Sequence, residues 1–86
     1  AIVLPQVEFR DAQLTDVVQF LQQASMANAP GRKGVNIVLD LKDRKPPTLT
    51  LALRDIPLSE VLRYVAQMCG LRVKYEPEAV VIGVDR

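Results

Sequence analysis

Phe9-Arg10-Asp11-Ala12-Gln13-Leu14-Thr15-Asp16-Val17 and Leu53-Arg54-Asp55-Ile56-Pro57-Leu58-Ser59-Glu60-Val61 are two copies of one pattern, displaced by 44 residues. Arg, Asp, Leu and Val recur identically, and Thr/Ser and Asp/Glu are chemically close. The correspondence continues through Phe20/Tyr64, Leu21/Val65 and Gln23/Gln67. A repeat of this length is a supersecondary unit that cannot bury its apolar face alone, so the two copies are expected to share one core.

Each copy is written in the same physical terms. Period-2 alternation precedes the Arg-Asp pair, at Val7 and Phe9 and again at Leu49, Leu51 and Leu53, which predicts half-buried strands. Apolar residues at helical spacing follow it: Leu14, Val17, Val18, Leu21 and Ala24, then Leu58, Val61, Leu62, Val65 and Met68. Asp11 and Asp55 stand where a helix N-cap is wanted, and Pro57 suits a first helical turn because its missing N–H costs nothing there. Ile56 is the alternative cap in the second copy.

Gly34 and Gly70 close the helices, and alternating strands follow in which Val35, Ile37 and Leu39, and then Leu71, Val73 and Tyr75, point one way. Glu76-Pro77-Glu78 turns the chain into a last strand, Ala79 to Val84. The fold class is therefore α+β, two β-α-β units in the order β-α-β-β-α-β-β. Ala27 to Lys33 has no counterpart in the second copy and carries Pro30 and Gly31, so it reads as a mobile loop whose removal leaves the fold intact. Pro46 and Pro47 exclude helix or central strand between the copies.

The 86 residues make one domain, read as a fragment or processed chain because it begins at Ala1. A composition 49% hydrophobic and 24% charged suits a globular core, and no run of 18 apolar residues is present to span a membrane. The absence of histidine removes imidazole bases, His-dependent nucleophiles and His-ligated metals, and the single Cys69 can form neither an internal disulfide nor a Cys-rich zinc site. The formal charge of +1 gives no basic excess for nucleic acid, and two Phe, two Tyr and no Trp make a poor stacking platform. Catalytic, cofactor and metal residues are therefore expected to be none.

Other features take plain readings. Gly31-Arg32-Lys33-Gly34 has the G-x-x-G spacing of a backbone-clamping loop, but such a loop joins two helices and this one leads into a strand. Arg32, Lys33, Lys42, Arg44 and Lys45 could form a basic patch, although Asp40 and Asp43 interleave with them; these two carboxylates read as solvated. Cys69, equivalent to Ser25, reads as a small buried residue, since no base exists to activate it. The candidate surface is instead for protein: Gln6 and Glu8 on the first strand and Thr48 and Thr50 on the third are polar, with no Lys to block edge pairing. Val81 joins them, because Val80, Val81, Ile82 and Val84 are apolar on both faces and Val81 is the residue expected to be left outside the core.

Val7 to Val18, then Val35-Asn36-Ile37-Val38-Leu39-Asp40, then Leu49 to Leu62 with its Ile56-Pro57-Leu58-Ser59-Glu60 segment, together resemble the secretin and TonB short N-terminal domain family. The likeness runs from about Val7 to Val84. It implies two helices flanked by two small sheets, no catalysis and no cofactor. It also implies a periplasmic location and a protein-interaction role in an outer-membrane secretin, with the signalling domain of a TonB-dependent receptor as the alternative. Partners would be other envelope proteins or neighbouring domains of the parent chain, including a ring-type homo-oligomer formed through it, with no membrane insertion. A small nucleic-acid-binding domain using the Gly31 to Gly34 loop is the alternative of another class.

Overall fold

The computed structural model describes residues 2–28 and 35–84. Its elements run β1 (Val3–Gln13), α1 (Leu14–Asn28), β2 (Ile37–Asp40), β3 (Thr48–Pro57), α2 (Leu58–Met68), β4 (Arg72–Glu76) and β5 (Ala79–Gly83). This is the β-α-β-β-α-β-β order that the repeat predicts. The strands make two sheets, an antiparallel β1-β3 pair and a three-stranded sheet in the order β2-β5-β4, where β2 is parallel and β4 antiparallel to β5. Helix α1 packs on β1 and β2, and α2 on β3 and β4, so each helix bridges the two sheets.

The repeat becomes an approximate two-fold. Glu8 pairs with Ala52, its own counterpart under the 44-residue shift, with Val7↔Leu53 and Phe9↔Leu51 on either side. The first amide of each helix is taken by the other repeat: Leu14 N–H donates to the Pro47 carbonyl at 2.9 Å and Leu58 N–H to the Ile2 carbonyl at 2.8 Å. Val17, Leu21, Val61 and Val65, all fully buried, lie in one cluster with Leu4, Val7, Leu14, Leu62 and Ile82. This is the shared core expected of two half-domains.

Asp11 and Asp55 do not cap helices. Both lie within strands, three residues before the helix starts, at φ 46° and 48°. Asp tolerates this left-handed region better than most non-glycine residues. One such residue reverses the alternation of a strand, so Ala12 and Ile56 turn towards the core after Phe9 and Leu53 have already done so. At Asp11 the ladder slips, and its N–H donates to Thr50 Oγ1 at 3.0 Å. The N-cap of α2 is Pro57, at φ −60° and ψ 143°, with no side-chain cap bond, so neither Asp55 nor Ile56 is the cap.

Three further expectations change. Helix α1 extends through Ala27 and Asn28, where a loop was expected, and Asn28 Nδ2 donates to the Ala24 carbonyl at 2.8 Å; residues 29–34, with Gly34 and the rest of the loop, lie outside the described residues. Met68 is exposed, and Ala66 fills the apolar stripe of α2 in its place. Leu71, Val73 and Tyr75 line one groove beside α2, as their alternation predicts, with Tyr75 64% exposed at its rim. Strand β5 is central rather than an edge. It belongs to neither repeat and fills the gap between β2 and β4, which therefore never pair as β1 and β3 do. Gly83 is needed there, since a Cβ would come within 2.9 Å of the Asp40 carbonyl oxygen. Gly70, at φ 68°, follows the C-cap Cys69 as a glycine should.

Candidate protein-docking surfaces

Gln6, Glu8, Thr48 and Thr50 are all exposed on the outward face of the β1-β3 ribbon. Gln6 lies opposite Arg54 and Glu8 opposite Ala52, and these four residues line one shallow concavity. Thr48 lies opposite Gln13 at the far end, and the Thr50 hydroxyl is already engaged by Asp11. The structure thus places the four in one polar row of a ribbon whose strands run 11 and 10 residues. Each strand has one paired side and one open side among the described residues.

Val81 is not in that row. It sits on the outer face of the second sheet, paired with Val38 on one side and Lys74 on the other, while Val80 and Ile82 on either side of it are buried. It is therefore the residue left outside the core, as the alternation of β5 demands. Both edges of β5 are occupied, so a partner strand cannot be added there. What Val81 offers is a face: a broad concavity with Val38, Val81 and Gly83 on its floor and Asp40, Lys42, Arg72 and Lys74 around it. Lys42 Nζ lies 3.3 Å from Asp40 Oδ2, and Lys74 Nζ 3.7 Å from Glu76 Oε2.

The charged candidates separate. Asp40 is held by Lys42, Asp43 is exposed, and Arg44 and Lys45 are exposed in the β2-β3 connection; Arg32 and Lys33 lie outside the described residues, as does the Gly31 to Gly34 loop. No group of three His, Cys, Asp or Glu among the described residues could hold a metal ion. Cys69 is half-buried at the end of α2, and desolvation raises its thiol pKa, the opposite of what an activated nucleophile needs.

The residues that sequence reading missed are Gln22 and Ser25 on α1. Ser25 is fully buried; its hydroxyl donates to the Gln22 carbonyl at 2.7 Å and accepts the Val35 N–H at 2.9 Å. Gln22 Oε1 accepts the Ile37 N–H at 3.0 Å. The two polar side chains therefore take the N–H groups of Val35 and Ile37 where the chain enters β2. Their signal was visible as polar residues on the inward stripe of an amphipathic helix, where nothing apolar is gained.

No family model matches the sequence, and no curated protein matches it. The fold is similar to two crystal structures of a proposed anti-sigma factor from Parabacteroides distasonis, with TM-scores of 0.75 and 0.76 at 17% and 19% identity. Each likeness covers 96% of this chain and 35% of the other, so the chain spans about a third of the length of those proteins. At such identities the likeness is one of fold.

Proposed function

We propose that this chain is a non-catalytic protein-docking domain of a bacterial envelope assembly, of the secretin and TonB short N-terminal type, working in the periplasm. The observation that carries the reading is the β1-β3 ribbon: two long strands, each open along one side, with the polar row Gln6, Glu8, Thr48 and Thr50 facing outward. Open main-chain donors and acceptors are satisfied by an added strand, and a polar row discriminates between partners without driving aggregation. The family likeness supplies the envelope setting.

A second reading concerns that setting. The fold neighbours are proteins proposed as anti-sigma factors, which favours a signalling assembly over a secretion pore. In both settings the domain passes on a contact rather than performing a reaction.

A photo-crosslinking amino acid in place of Glu8 or Thr50, in the protein expressed in its own cell, tests both readings. Crosslinks to envelope proteins are expected, and their identity separates a secretion machine from a regulatory receptor. Crosslinks confined to nucleic acid or to cytoplasmic proteins would refute the docking role in the envelope.

A further inference from the structure

The two outer edges of the three-stranded sheet are built differently. At the start of β2, Ser25 accepts the Val35 N–H and Gln22 the Ile37 N–H through their side chains. Their counterparts under the 44-residue shift are Ala66 and Cys69. Leu71 N–H is taken by the Ala66 carbonyl at 2.7 Å, but Ala66 has no side-chain acceptor to reach further along β4.

The pairing of β4 with β5 shows which groups stay open. The two-residue turn Pro77-Glu78 closes on Glu76↔Ala79, so that pair exchanges both hydrogen bonds. Bonded and non-bonded pairs alternate from there, which makes Lys74↔Val81 and Arg72↔Gly83 bonded. The N–H and C=O groups of Val73 and Tyr75 consequently point away from β5, and no side chain among the described residues bonds to them. Beside them lies a groove of about 580 Å³ between β4 and α2, lined by Arg63, Ala66, Leu71, Val73 and Tyr75 among others.

We propose that this edge pairs with β4 of a second copy of the chain, antiparallel, joining two three-stranded sheets into one of six. The charge along β4 selects the occupant. The strand starts cationic, at Arg72 and Lys74, and ends anionic, at Glu76 and at Glu78 in the turn. In the antiparallel register that sets Val73 opposite Tyr75, Arg72 of each strand lies opposite Glu76 of the other and the two Lys74 side chains meet at the centre, each 3.7 Å from Glu76 Oε2 of its own strand, whereas a parallel copy sets like against like along the whole strand. Val73 and Tyr75 of the two copies then face one another over the groove, a β-branched and aromatic combination that favours cross-strand contact. This edge is separate from the β1-β3 ribbon, so the inference stands or falls independently of the docking function.

Sedimentation velocity on the 86-residue chain, at concentrations up to about 1 mM to cover a small, weak interface, tests it. A concentration-dependent dimer is expected. Tyr75→Pro removes an N–H that β5 does not use, and an edge strand tolerates proline there, so the variant should fold and weaken the dimer at least about tenfold. A variant with Arg72→Glu and Lys74→Glu, and another with Glu76→Lys and Glu78→Lys, should each fail to self-associate and should form a heterodimer when mixed. Thermal melts establish that each variant is folded. A chain that stays monomeric throughout, a dimer indifferent to Tyr75→Pro when that variant is folded, or folded charge variants that self-associate as the parent does, would overturn the proposal.

Discussion

The two repeats solve one problem, how a helix hands over to the next strand, in two ways. In the second repeat α2 ends at Met68, Gly70 turns the chain, and the Ala66 carbonyl receives Leu71 N–H directly. In the first repeat α1 runs on to Asn28 and β2 begins only at Ile37. There the side chains of Gln22 and Ser25 accept the main-chain N–H groups of Ile37 and Val35, the work that a backbone carbonyl does in the second copy. An insertion is tolerated in one half of a symmetric fold when side chains replace the lost backbone contact. The same replacement gives the start of β2 two side-chain acceptors, and the start of β4 has none among the described residues.

The widest test of this comparison lies in the core, where the repeats should behave alike. Leu21 and Val65 are counterparts, both fully buried. Leu21→Ala should cost about 2–5 kcal/mol and Val65→Ala somewhat less, in proportion to the volume removed. Chemical denaturation reads both; a cost below about 0.5 kcal/mol at either position would mean that the half-domains do not share a core.

Gln22→Ala or Ser25→Ala should cost about 1–3 kcal/mol, because each leaves a main-chain N–H, that of Ile37 or of Val35, without its acceptor. Cys69→Ala, at the position matching Ser25, should stay within about 0.5 kcal/mol, since Cys69 has no such duty. Equal losses at Ser25 and Cys69 would erase the asymmetry between the two edges.

The paired aspartates give a smaller effect. Asp11→Gly and Asp55→Gly should be neutral or slightly stabilising, while Asp11→Val and Asp55→Val should cost about 1–2 kcal/mol, since a β-branched residue is strained at positive φ. If valine is tolerated at both positions, the strands do not need the left-handed step. Thr50→Ala should affect only the first copy, where its hydroxyl receives the Asp11 N–H.

The smallest expected signal is chemical. Burial raises the Cys69 pKa, so the folded state holds the thiol proton more tightly than the unfolded state does. Its contribution to stability is present below the unfolded thiol pKa and is lost as pH rises through the folded one. Alkylation of native protein near pH 8 should be slower than that of an unstructured cysteine peptide, and unfolding should remove the difference. A native rate faster than the peptide's would show an activated thiol.

Much of the fold was legible because it depends on local periodicity. Alternation before the Arg-Asp pair and the 3.6-residue spacing after it specify strand and helix regardless of surroundings, and the 44-residue repeat specifies that the pattern occurs twice. The same locality explains the error at Asp11 and Asp55: a short acceptor near a helix start and a left-handed residue in a strand look alike in one dimension, and only φ separates them. Gln6, Glu8, Thr48 and Thr50 were found on one face because strand alternation alone puts them there.

What only the tertiary structure decided is which strand lies beside which. Nothing in the apolar run Ala79 to Val84 says that β5 would lie between β2 and β4, because pairing partners are chosen by distant chain segments competing for the same open edge. The order taken is β2-β5-β4. That order makes β5 central, sets Val81 on a face rather than an edge, and leaves the main chain of Val73 and Tyr75 open to a partner.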